Sequence, residues 1–393
     1  MSVPRPALLL LLIIYLGFIS LGLPDGTFGV AWPEMYPELG LPIGLAGAIA
    51  VVITLLSATT GFLSGRIIAR FRTGPVVAVS CLLTGSALLL VSQASGPLWL
   101  WLAAVPLGIG AGAVDAGLNG FVARHYSGRH MNWLHACWGV GATAGPLLMG
   151  FALGTAQGWR LGYLLLGGLQ LTLAALFALT LPLWARAPRP HAAAHADDDP
   201  AAAASRAPTL GANSFEGWLS PVLFAVIVAV ETTAALWAGS ILVVGRGLDP
   251  KLAAWFGAGL FGAMTSGRFL AGLVAERWGN RRLVSLGLAV ALIGAVVFAA
   301  VNIPWLNVVA LILFGLGMAP LYPCLMHEVP RRFAPDAAQT VIGRQSGAAY
   351  LGAAALPTAA GTLAADHIHL IPWLLVAGLM VGIAGVRWLN RLT

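Results

Sequence analysis

Leu107-Gly-Ile-Gly-Ala-Gly-Ala-Val-Asp115-Ala-Gly-Leu-Asn119-Gly-Phe121 places an acid inside an apolar run that extends from Leu98 to Phe121, long enough to cross a bilayer. A carboxylate at membrane depth costs about 2.5–3.5 kcal/mol on insertion scales, so it faces a partner or a wet cavity. Asn119 follows four residues later, on the same helical face. The glycines ahead of them let a neighbouring helix approach closely. Together these features describe the wall of a substrate path.

Working outward, the rest of the chain repeats the apolar theme. Of its 393 residues 59% are hydrophobic and only 9% are charged, where a soluble domain carries about 25% charged residues. The fold class is therefore an all-α polytopic membrane protein. Stretches of roughly 20 apolar residues fall at Ala7–Phe28, Ile43–Ala69, Pro75–Ser92, Leu98–Phe121, Asn132–Leu153 and Gly162–Trp184. A second set falls at Ser220–Val243, Leu252–Val274, Leu283–Val301, Trp305–Leu325, Ile342–Ala365 and Pro372–Leu389. Twelve transmembrane helices in two six-helix halves are expected, with halves at 1–184 and 218–393. The linker, 185–217, is Ala-, Pro- and Asp-rich without an amphipathic period and reads as flexible. Its His191 and His195 are exposed filler rather than metal ligands.

The net charge of +7 would suggest nucleic acid in a soluble chain. Here it reports topology, and no nucleic-acid partner is expected. With both termini inside, about 17 arginines fall in or at the edge of cytoplasmic segments, and about three Lys/Arg, Arg160, Arg246 and Lys251, fall outside. No other parity of spans splits the charge so cleanly under the loop-bias rule. The expected location is the inner (cell) membrane, with the lipid bilayer as partner and the protein monomeric. Cys81, Cys137 and Cys324 sit in apolar runs with no CxxC spacing, so neither a disulfide framework nor a metal site is expected. The N-terminal apolar run lacks a small-residue cleavage site and is kept as the first span.

The halves repeat at a constant offset of 207 residues: Gly65 falls on Gly272, Gly108-Ile-Gly110 on Gly315-Leu-Gly317, and Gly145 on Gly352. Parallel repeats with a substrate site near the midplane are a transporter arrangement.

Gly272-Leu-Val-Ala-Glu276-Arg277-Trp-Gly279-Asn-Arg281-Arg282 resembles the loop signature G-x-x-x-D-R-x-G-R-R of the major facilitator superfamily, with Glu276 in place of Asp. The first-half copy, Gly65-Arg-Ile-Ile-Ala69-Arg70-Phe-Arg72, is degraded, with Ala69 where the acid belongs. The resemblance implies a cytoplasmic gate built on Gly65, Gly272, Glu276, Arg277, Gly279 and Arg281. Within the superfamily, three stretches are similar to the fucose permease-like branch of sugar:proton symporters. They are Gly22-Leu-Pro-Asp25-Gly26, Gly110 to Asn119, and Asn132-Trp-Leu-His135-Ala-Cys-Trp138-Gly139. That likeness implies functional carboxylates at Asp25 and Asp115. The branch has Glu-Thr-Ala-x-Asn-Pro in its fourth span where this chain has Asp-Ala-Gly-Leu-Asn-Gly, so the spacing of acid and amide is kept while the acid is shorter and the Thr is lost.

Only Asp25, Asp115 and Glu231 lie well inside spans, at a summed cost of about 8–10 kcal/mol, comparable to the whole stability of a typical domain. Asp25 lies between Pro24 and Gly26, where a helix break exposes backbone groups to a cavity. Glu231 falls one position from the repeat-equivalent of Asp25. Asn132, His135 and Trp138 share one face of span five. Gln345 is the repeat-equivalent of Trp138 and Tyr322 of Asp115, and both are expected on the opposite wall.

Carboxylate, amide, imidazole and aromatic groups suit a polyhydroxylated ring. Arg268 is the one arginine well inside a span, which speaks against an anionic substrate. The expectation is symport of a neutral sugar, with the proton as coupling ion, no cofactor, and Asp25 the favoured carrier. The alternative is proton-driven export of drugs or metabolites. It rests on Gly141-Ala-Thr-Ala-Gly145-Pro146-Leu-Leu-Met-Gly150, which resembles the span-five motif of drug antiporters but also suits close helix packing. A membrane enzyme or a non-transporting sensor ranks last, since the chain has no H-E-x-x-H, phosphate loop or G-x-S-x-G elbow.

Overall fold

The apolar runs form helices because a bilayer leaves backbone N–H and C=O groups no other partner. The computed structural model describes residues 5–25, 27–42, 45–185, 210–248 and 250–393. Most of the expected linker, including His191 and His195, lies outside the described residues.

The first helices are α1 (Arg5–Gly22), α2 (Thr27–Glu38), α3 (Leu45–Phe71), α4 (Thr73–Ser92), α5 (Pro97–His125), α6 (Gly128–Leu153), α7 (Gly158–Leu179) and the short α8 (Leu181–Ala185). After the linker come α9 (Phe215–Ser240), α10 (Pro250–Trp278), α11 (Asn280–Ala300), α12 (Pro304–Met318), α13 (Leu321–His327), α14 (Val329–Arg332), α15 (Pro335–His367) and α16 (Ile371–Leu392). Apart from one isolated bridge between Leu210 and Phe333, the regular structure of the described residues is helical.

Ten helical stretches among the described residues are long and apolar enough to cross a membrane. Of the twelve expected spans, those at Leu252–Val274 and Ile342–Ala365 lie on α10 and α15. These helices have 29 and 33 residues. The expected apolar edges also undershoot several helices. Helix α6 starts at Gly128 rather than Asn132, and α9 starts at Phe215 rather than Ser220, where the Ser214 hydroxyl accepts from the Gly217 N–H at 3.1 Å as an N-cap.

Prolines interrupt two spans. Pro24 removes a donor and separates α1 from α2, leaving Asp25 in a turn whose N–H bonds to Gly22 O at 3.0 Å. The span begun by α12 is likewise interrupted at Ala319–Pro320, two residues before Tyr322 is reached on α13.

The chain divides into two compact units. The first contains Met1–His125, Leu134–Ala192 and Ile342–Gly347; the second contains Tyr126–Trp133, Ala193–Val341 and Ala348–Thr393. In the first, Trp159, Phe18 and Phe177 are among the largest fully buried side chains; in the second, Phe224, Phe298 and Phe314 are. Leu8, Val51, Leu55, Leu147, Phe151, Leu236 and Leu273 are exposed, the distribution of helices that meet hydrocarbon rather than water on their outer faces.

Candidate substrate-binding site

Close packing in the first unit begins with small residues. A Cβ on Gly141 or Gly145 of α6 would strike the carbonyls of Ile19 and Leu23, and one on Gly22 would strike Trp138 O. The glycines therefore let α1 and α6 approach backbone to backbone. That approach brings the Trp138 indole N–H to the Asp25 carboxylate, which accepts it at 2.9 Å. Gly112 of α5 is pressed against Ser57 O of α3 in the same way, and Ser57 donates to Gly108 O at 3.0 Å. Helix α5 is thus fixed with Asp115 and Asn119 turned inward, 7% and 0% exposed.

Those two side chains belong to a continuous polar chain. Asn119 Nδ2 donates to Asp115 Oδ1 at 2.9 Å, and His135 Nε2 lies 3.0 Å from Asn119 Oδ1. Phe18 of α1 packs edge-on against the His135 ring at 5.3 Å. A second buried pair ties α1 to α7: Gln170 Nε2 donates to Ser20 O at 2.8 Å while the Ser20 hydroxyl donates to Gln170 Oε1. Sequence reasoning passed over Gln170, although an amide within an apolar span is a signal of its own.

Other expected residues are placed elsewhere. Asn132 does not join His135: its Nδ2 donates to Gly128 O at 2.9 Å and lies 3.6 Å from Cys324 Sγ, within the second unit. Gln345 is buried on the short segment Ile342–Gly347 that packs with the first unit. In the second unit, Tyr322 stacks edge-on against Phe224 at 4.4 Å. Glu231 of α9 forms an ion pair with Arg268 of α10 at 3.0 Å, with side chains 13% and 4% exposed. That pairing was not anticipated, because the residues lie in different spans and only the fold makes them meet. It changes the reading of Glu231 from a lone acid to a member of a buried pair, which needs both partners.

The signature loop is also built within the second unit. Gly272 has no room for a side chain because Trp133 lies against it, and Trp133 Nε1 donates to Phe269 O at 3.3 Å. Glu276 accepts from Ser127 at 2.9 Å and from Arg129 at 3.1 Å. Gly279 sits at φ +74°, a conformation that favours glycine. Arg277 is exposed, and Arg281 donates to Glu328 at 3.2 Å. Glu328 also accepts from Asn280 at 2.9 Å and from Arg331 at 3.0 Å, with Arg332 at 3.9 Å. Burial pushes the Glu328 carboxyl up, but Arg331, Asn280, Arg332 and Arg281 outweigh it and hold it below the usual carboxylate range. Glu328 was missed in the sequence, where it reads as one more loop acid. In the first unit Gly65 is buried on α3, and Arg72, the repeat-equivalent of Gly279, adopts φ +64°.

The sequence matches the description of the Major Facilitator Superfamily over residues 14–343 and 222–392. The chain belongs to that family: it is a multi-pass membrane transporter and not an enzyme. No curated protein matches it. Among solved structures, it is similar to the E. coli fucose:proton symporter FucP, with a TM-score of 0.78 and 14% identity, covering 98% of this chain and 99% of that one. It is also similar to the human organic anion transporter MFSD10 (TM-score 0.72, 16% identity, 98% and 100% covered). The proton:xylose symporter XylE follows, with a TM-score of 0.70, 13% identity, and 95% and 94% covered. At these identities the likeness establishes the fold.

Proposed function

We propose that this transporter is a proton-coupled symporter of a neutral sugar or similar polyhydroxylated solute, working by alternating access. The observation that carries the reading is the polar content of the first unit. Two carboxylates, an amide, an imidazole and an indole N–H are joined pairwise on the α1–α2 turn, α5 and α6. Such groups match hydroxyls as donors and acceptors, and an indole face suits the C–H face of a ring. An organic anion calls for a cation, and Arg268 already answers Glu231 in the second unit. The fucose:proton and proton:xylose symport named for two of the structural neighbours supports the same assignment. Gly141 and Gly145, the residues behind the export alternative, have a packing role against α1.

In this reading Asp25, at the helix break, carries the proton, and Asp115 serves both substrate and coupling. Asn119, His135 and Trp138 complete the first-unit contacts, with Gln345 a further polar group of that unit; Asn132, Glu231 and Tyr322 are polar groups of the second unit. One proton moving inward through 100 mV supplies about 2.3 kcal/mol, enough for about 50-fold accumulation. The protein works as a monomer in the inner membrane with both termini cytoplasmic, without a cofactor.

Proteoliposome uptake of L-fucose and D-xylose tests this. An inward proton gradient should drive accumulation that an uncoupler abolishes. Asp25→Asn should lose accumulation and keep exchange, whereas Asp115→Asn should lose both. Accumulation indifferent to the uncoupler removes proton coupling, and wild-type uptake by Asp115→Asn removes the site. Proton-driven movement of a lipophilic cation without sugar flux would establish export instead.

A further inference from the structure

The chain Asp115–Asn119–His135 has a property that follows from donor and acceptor counting alone. Asn119 presents one amide nitrogen and one amide oxygen, and both are engaged: Nδ2 toward Asp115 Oδ1 at 2.9 Å, Oδ1 toward His135 Nε2 at 3.0 Å. A carboxylate only accepts, so an ionised Asp115 requires the Asn119 NH2 on its side. The amide oxygen then faces His135, whose Nε2 must carry the hydrogen. In the neutral ring Nδ1 is then the acceptor.

We propose that Asn119 is a positioning residue that transmits the protonation state of Asp115 to His135. When Asp115 takes up a proton, its O–H can donate to the amide oxygen. The Asn119 side chain then turns over, and its NH2 donates to His135 Nε2. The Nε2 hydrogen passes to a water molecule and Nδ1 takes one up from water in exchange, so the imidazole stays neutral and the only net gain is the proton on Asp115. His135 Nδ1 changes from acceptor to donor. A protonation event on α5 is thereby read on α6, the helix whose Trp138 holds Asp25.

The setting supports an exchange between two defined states. Asn119 is 0% exposed and His135 is 5% exposed, so bulk water is a poor substitute for either amide partner. Phe18 fixes the imidazole edge-on. The titratable groups that the described contacts bring to this chain are His135 itself, from α6, and Asp25, from the α1–α2 turn, which acts on Asp115 through its charge.

This inference rests on the proton-coupled reading for its use, but its test needs no substrate. The full-length protein in detergent, labelled with 15N-histidine, reports which ring nitrogen carries hydrogen, and His135→Gln identifies the His135 signals by their loss. At alkaline pH the wild type should show the Nε2–H form, giving way on acidification to the Nδ1–H form. Asp115→Asn, whose amide can donate where the carboxylate could not, should increase the Nδ1–H form at alkaline pH. Asn119→Ala should abolish the difference that residue 115 makes. If Asn119→Ala does not fold, Asp115→Asn decides alone. The same tautomer in the wild type and Asp115→Asn overturns the proposal, as does acidification that takes His135 directly to imidazolium. Failure of sugar uptake with a working tautomer switch would remove the sugar assignment and leave the relay standing.

Discussion

Arg72 shows most directly what a single residue can reveal. It occupies φ +64°, ψ 160°, and its repeat-equivalent Gly279 occupies φ +74°, ψ 154°, so the two copies of the signature end on one backbone conformation. That region is essentially restricted to glycine and costs another residue about 1–3 kcal/mol. The Arg72 side chain is exposed, so little contact energy offsets the strain. Arg72→Gly should therefore stabilise the protein by about 1 kcal/mol after the extra unfolded-state entropy of glycine is charged against it. Thermal unfolding in detergent checks this, and an unchanged or lower midpoint would show the strain to be absent. Gly279→Ala should move the midpoint down. In the sequence Ala69 stood out as the departure in this copy and Arg72 was passed over, because a motif lists residue types and a dihedral angle belongs to the folded chain. Asp115 and Asn119 were legible as a pair, since i and i+4 fix a shared helical face. The Glu231–Arg268 contact was not, since nothing local links α9 to α10.

Helices test the export motif more sharply than any whole-protein comparison. Of the three glycines in the stretch from Gly141 to Gly150, the first two lie against α1 carbonyls, while a Cβ on Gly150 meets nothing within 4 Å. If the motif is a packing device, Gly145→Val should cost at least the 1–3 kcal/mol of ordinary overpacking and separate Trp138 from Asp25, while Gly150→Ala should be silent in both stability and uptake. Equal effects at the two positions would restore a role for the motif beyond packing. The network around Glu328, which joins α11, α13 and α14, makes a second prediction. Its carboxyl is held below the usual range, so the stability it contributes is present above the unfolded-state value and lost as pH falls through the folded one. Thermal stability of Glu328→Gln should fall below wild type at neutral pH, and the gap should close on acidification into and below the carboxylate range. A gap that persists in acid would assign the loss to shape rather than charge. Helix breaks were legible from Pro24, whereas helix ends ran past the apolar stretches because caps such as Ser214 are set by hydrogen bonds, not hydropathy.

At the level of the whole molecule, hydropathy exposed the helical membrane fold because hydrocarbon penalises every unpaired backbone group alike. Orientation depends on a different quantity, the placement of arginine in the loops. Residues 93–96, between α4 and α5, carry no Lys or Arg, while Arg186, Arg189 and Arg206 lie between α8 and α9. The loop-bias rule puts the first of these segments outside and the second in the cytoplasm. Gly96 and Gly211 lie in or beside them, and each has open space where a side chain would begin, so a cysteine at either should leave the fold intact. In a background with Cys81, Cys137 and Cys324 replaced, a membrane-impermeant maleimide should label Gly96→Cys in intact cells. It should reach Gly211→Cys only after the membrane is opened. The reverse pattern would invert the protein in the membrane and with it the direction in which a proton gradient could drive it. Labelling of both from outside would break the odd number of spans between Gly96 and the linker on which the arginine split depends.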